Sequence, residues 1–75
     1  RRRMRNTHPI ISRLRDERLR QGMSIRELSR RSGYSDRAIG AMETGETAPI
    51  FSMVAVIAEV LELRLMLTVK ERADE

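Results

Sequence analysis

From Pro9 to Leu61 apolar residues recur every three or four positions, and beyond Leu61 they recur every second one. The first regime predicts helices and the second a strand. Pro9 suits the first turn of a helix that carries Ile10, Ile11, Leu14, Arg18 and Leu19 on one face and is ended by Gly22. Ser24-Ile25-Arg26-Glu27 has the form of a capping box, opening a second helix that runs to about Ser32 and buries Leu28 and Ile25. Gly33 supplies the left-handed residue of a tight turn. Ser35 then caps a third helix, Asp36 to about Thr44, with Ala38, Ile39 and Met42 facing inward and Gly45 closing it. After a turn at Thr47-Ala48-Pro49, a fourth helix covers about Phe51 to Leu61 and buries Phe51, Val54, Ile57, Ala58 and Leu61.

Leu61, Leu63, Leu65, Leu67 and Val69 alternate with Glu62, Arg64, Met66, Thr68 and Lys70, which predicts a strand over 64–70. No other segment reads as a strand, and a lone strand leaves its backbone groups unpaired. The simplest partner is the same strand of a second copy, antiparallel across a two-fold axis, with Leu63, Leu65, Met66, Leu67 and Val69 as the dimerisation residues. The other reading continues helix four through Leu67. The expected fold is all-α, a compact four- to five-helix bundle with one C-terminal strand pairing across a homodimer. Its parts are a basic arm over 1–8, a helical domain over 9–63, the strand over 64–70 and a polar tail over 71–75.

Size and chemistry sharpen this picture. Seventy-five residues make one domain, whose core supplies only about 3–5 kcal/mol. With no cysteine and a single histidine there is neither a disulfide nor a metal staple, so oligomerisation is the staple left. No metal site and no cofactor are expected. Nothing resembles a signal peptide or a membrane span, and the absence of cysteine fits the cytoplasm. An enzyme fails on inventory: there is no cysteine nucleophile, no histidine pair and no phosphate-cradling glycine loop, and Asp16 and Glu17 point apart on their helix. The net charge of +4 is split unevenly, +8 over residues 1–37 and −4 over 38–75. Such a basic half suits a polyanion, although many arginine-rich helices are simply solvated.

The ordered set Arg18, Gly22-Met23-Ser24, Glu27-Leu28, Gly33-Tyr34-Ser35, Ile39, Glu43, Gly45, Pro49, Ile57-Ala58 and Leu61 resembles the helix-turn-helix family of lambdoid phage repressors and Cro proteins, the xenobiotic-response-element type. The resemblance covers about Ile11 to Leu63. It implies a cytoplasmic regulator, phage-encoded or associated with a prokaryotic nucleoid, that binds a palindromic operator in double-stranded DNA as a homodimer and acts most simply as a repressor. Carried over by position, it implies a buried structural ion pair between Arg18 and Glu43, and phosphate contacts from Ser24 and Thr44. Helix three would enter the major groove and offer Ser35, Asp36, Arg37, Gly40 and Ala41 to base edges. Arg37 is the expected principal reader, since its fork matches guanine O6 and N7. Gly40 and Ala41 permit close approach. Asp36 would be repelled by phosphates unless it accepts from a cytosine amino group or orients Arg37.

Two departures from the family pattern shift weight elsewhere. Ile25 replaces a polar residue, and positions 40 and 41 hold small ones, so Arg26, Arg30 and Arg31 are expected to grip phosphates. The arm Arg1-Arg2-Arg3-Met4-Arg5 would follow the minor groove, or is an unstructured tail or an expression remnant. Leu61-Glu62-Leu63-Arg64-Leu65-Met66-Leu67 is similar to the C-terminal strand of antitoxins from Hip-type persistence modules. That resemblance implies an alternative, an antitoxin that represses its own operon and binds a kinase-like toxin. A protein-interaction module without specific DNA binding is the third class.

Overall fold

The computed structural model describes residues 8–67. It contains four helices: α1 (Pro9–Arg20), α2 (Ile25–Ser32), α3 (Asp36–Thr44) and α4 (Phe51–Val60). Local chemistry sets each boundary. His8 caps α1 through its Nδ1, which accepts from the Ile10 backbone N–H at 3.0 Å, with Pro9 following in the first turn. Ser24 and Ser35 cap α2 and α3 by accepting from the N–H groups of Glu27 (3.0 Å) and Ala38 (3.1 Å). Gly33 and Gly45 end the same two helices at φ of 88° and 81°, a conformation that an L side chain resists.

Eleven apolar residues form the core, drawn from all four helices and their ends: Ile11, Leu14, Met23, Leu28, Ile39, Met42, Met53, Val54, Ile57, Ala58 and Leu61. Helices α2 and α3 pack on one another, while α1 packs on α3 and α4 and α2 on α4. The α2–turn–α3 pair is therefore buttressed from behind. Three apolar residues expected inside lie largely outside. Phe51 is 71% exposed, Leu19 50% and Ile10 43%. Phe51 opens α4, where the chain has not yet come down onto the core, and Met53 takes the inner position instead.

The strand expected over 64–70 is not formed among the described residues: 64–67 carry no regular structure, and 68–70, including Val69, lie outside them. Extended backbone becomes a strand only by pairing, and the rest of the described chain is helix and turn. Nor does α4 continue through Leu67. Leu61 is its cap, Glu62 sits at a φ of 62°, and the Leu63 N–H closes back on the Ala58 carbonyl at 2.8 Å. Burial alternates only as far as Met66: Leu63 and Leu65 are half-buried and Glu62, Arg64 and Met66 exposed, but Leu67, expected on the same side as Leu65, is 97% exposed.

Candidate nucleic-acid interface

Helix α3 buries Ile39, Met42 and Glu43, leaves Gly40 and Ala41 half-buried, and exposes Asp36, Arg37 and Thr44. Positions 37, 40, 41 and 44 fall on one helical face. Asp36 and Arg37 are exposed and make no ion pair with one another or with any other described residue. Gly40 is helical, and a Cβ built on it would meet nothing within 4 Å. The fold therefore gives no packing reason for glycine there.

What holds this helix in place is the Arg18 guanidinium. Its Nε and Nη2 donate to the two Glu43 carboxylate oxygens at 2.7 and 2.9 Å, and Nη1 donates to the Met23 carbonyl at 2.7 Å. Both side chains are buried, at 8% and 5% exposure. One arginine thus ties α1, the α1–α2 turn and α3 together, and among the described residues every buried side-chain nitrogen and oxygen has a hydrogen-bond partner. Arg15, half-exposed, lies 3.9 Å from the same carboxylate.

The residues expected to contact phosphates are placed unequally. Ser24 accepts from the Glu27 N–H, so its own hydroxyl proton points toward no described partner and is available to an anion at the α2 N-terminus. Thr44 is exposed, but its hydroxyl donates back to the Ala41 carbonyl at 3.2 Å. Arg26 is exposed. Arg30 and Arg31 are both held by the Glu27 carboxylate, whose pKa is lowered, chiefly by the hydrogen bond from Arg30. Glu27 is thereby engaged with arginines rather than with the Ser24 N–H that a reciprocal capping box would give it. The i,i+3 and i,i+4 spacings from Glu27 to Arg30 and Arg31 were the signal for these pairs.

A second cluster escaped sequence reasoning. Glu17, buried on the flank of α1, accepts from Arg20 (2.6 and 3.0 Å) and from Gln21 (2.8 Å). Gln21 also donates to the Leu61 carbonyl at 2.9 Å, stitching the end of α1 to the end of α4. The Arg20 hydrogen bond, reinforced by that of Gln21, lowers the Glu17 pKa from 4.5 to about 2. Among the described residues no group of histidine, aspartate and glutamate is placed to hold a metal ion, and no helix is long and apolar enough to cross a membrane.

Two short helices joined by a left-handed glycine turn, the second braced by a buried ion pair, make a helix-turn-helix arrangement. A family model described as helix-turn-helix matches residues 14–66, more than half of the chain. The chain belongs to that family, in its xenobiotic-response-element, Cro/C1 type, whose members are DNA-binding regulators of transcription. No curated protein matches it.

Proposed function

We propose that this protein is a sequence-specific repressor that binds a palindromic operator in double-stranded DNA as a homodimer. The observation that carries the reading is the outward face of α3, free of core duties yet fixed by the Arg18–Glu43 pair. In this reading Ser35, Asp36, Arg37, Gly40 and Ala41 meet base edges, with Arg37 the principal reader. Ser24, Arg26 and Thr44 meet phosphates. Arg30 and Arg31 share that role at reduced strength, because Glu27 cancels part of their charge.

The dimer is supported by an apolar surface that a monomer leaves wet. Ile10, Phe51, Met66 and Leu67 are exposed around a groove of about 590 Å³ that Leu65 also lines. Leu63, Leu65, Met66 and Leu67, with Val69 beyond the described residues, are the proposed dimerisation set. Leu65→Asp is expected to give a monomer in sedimentation, and an unchanged dimer would remove the segment from the interface. The same exposed segment favours the second reading, an antitoxin whose dimer also binds a kinase-like toxin. That reading falls if pull-downs from the native host recover no such kinase and the adjacent gene encodes none.

The test of the main reading compares Arg37→Ala with Arg26→Ala on duplexes enriched from a random pool and on random duplex. Arg37→Ala is expected to narrow the gap between the two by about 1–3 kcal/mol, the value of a bidentate base contact. Arg26→Ala is expected to weaken both alike. Equal losses on both duplexes for both variants would overturn the assignment of α3 as the reader.

A further inference from the structure

We infer that Arg15, on α1, is a DNA-phosphate ligand held beside the C-terminal end of α3; the inference rests on the DNA-binding reading above. Arg15 and Arg18 lie three residues apart and so share one side of α1. Both reach the single carboxylate of Glu43. Arg18 takes both of its oxygens in hydrogen bonds, at 2.7 and 2.9 Å. Arg15 stands off at 3.9 Å, too far for a hydrogen bond and close enough to be attracted. Two guanidinium groups against one carboxylate leave a surplus of one positive charge at the seam between α1 and α3. The Arg15 side chain is 50% exposed, its Nε faces Glu43 without bonding it, and it makes no hydrogen bond to a described residue, so its donors are left without a partner there.

Its place in the fold names the ligand. Glu43 is followed directly by Thr44, the last residue of the outward face of α3. From Arg37 to Thr44 that helix rises about 10 Å. With its first residues on base edges, its other end climbs toward the sugar–phosphate wall of a groove about 12 Å wide. A half-exposed arginine with unpartnered donors, drawn there by the charge of a buried carboxylate that Arg18 already occupies, fits a backbone phosphate oxygen. Arg13, by contrast, lines a groove with Ile10, Leu14 and the segment Leu63 to Met66, away from α3. It carries the same charge on the same helix without the same prospect.

The test is the salt dependence of duplex binding by the full chain, with Arg15→Gln, Arg15→Lys and Arg13→Gln. Each neutralised phosphate contributes about −0.9 to the slope of log affinity against log salt. Arg15→Gln is expected to make that slope shallower by about 0.9 and to weaken binding about tenfold at low salt, on selected and random duplexes alike. Arg15→Lys should restore the slope. Arg13→Gln should leave it unchanged, and the melting temperatures of Arg15→Gln and wild type should coincide. A slope in Arg15→Gln equal to that of wild type overturns the inference, as does an equal effect of Arg13→Gln. Failure of the wild type itself to bind duplex with a salt-dependent affinity would instead sink the DNA-binding reading.

Discussion

Replacing Gly40 by alanine separates what the fold needs from what DNA needs. Gly40 lies inside α3 at a helical φ, and an added Cβ meets nothing within 4 Å. A glycine inside a helix is about 0.8–1.0 kcal/mol less favourable than alanine. With no clash to offset that gain, Gly40→Ala should stabilise the domain by about 0.5–1 kcal/mol. For a chain of this size that raises Tm by about 2–8 °C, measured by circular dichroism at fixed protein concentration. On the operator the sign reverses. The methyl would stand between α3 and the bases it closely approaches, and overpacking a fitted contact costs about 1–3 kcal/mol. Affinity by fluorescence anisotropy should therefore fall roughly 5- to 150-fold. A variant that melts lower than wild type refutes the helical placement of Gly40. One that melts higher yet binds as wild type refutes the close approach of α3 at this point.

Four further variants probe the frame behind that helix. Glu43→Ala leaves the Arg18 guanidinium buried without its carboxylate, at a cost of about 3–5 kcal/mol that matches the whole expected stability, so the variant should be largely unfolded in a urea titration. The double variant Arg18→Met with Glu43→Leu should fold again, and failure to do so would mean that the pair does more than fill its seam. Glu17 has its folded pKa depressed to about 2 from 4.5, so its contribution is fully present above about pH 4.5 and is lost as the pH falls toward 2. Glu17→Gln should flatten the stability profile in that window, and an unaltered profile would show that other carboxylates govern it. Glu62 holds a left-handed φ of 62°, which costs a non-glycine residue about 1–2 kcal/mol. Glu62→Gly should recover about 0.5–1 kcal/mol after the entropy lost by glycine, and a lower midpoint would contradict that backbone conformation.

The helices were legible because their punctuation is chemical. Ser24, Gly33, Ser35 and Gly45 announce caps and turns by residue type alone, and the structure uses all four as such. Side-chain orientation was less legible. Phe51 and Met53 both suit an apolar stripe of α4, and the structure puts Met53 inside and leaves Phe51 exposed. The partners of Gln21 and Arg15 lie 40 and 28 positions away, at Leu61 and Glu43, separations that no local spacing rule reaches. The C-terminal alternation was visible, yet it shows in burial only from Glu62 to Met66, and Leu67 is exposed. Whether it becomes a strand depends on a second chain, which one sequence does not contain.

The central claim, that two copies of α3 read two half-sites, is tested most directly by selecting bound sequences from a random duplex pool at two salt concentrations. The account requires a palindromic consensus whose half-sites lie about one helical turn, roughly 34–36 Å, apart and which survives the higher salt. Enrichment of no sequence, with binding that vanishes at the higher salt, would contradict it and leave only a basic surface attracted to a polyanion.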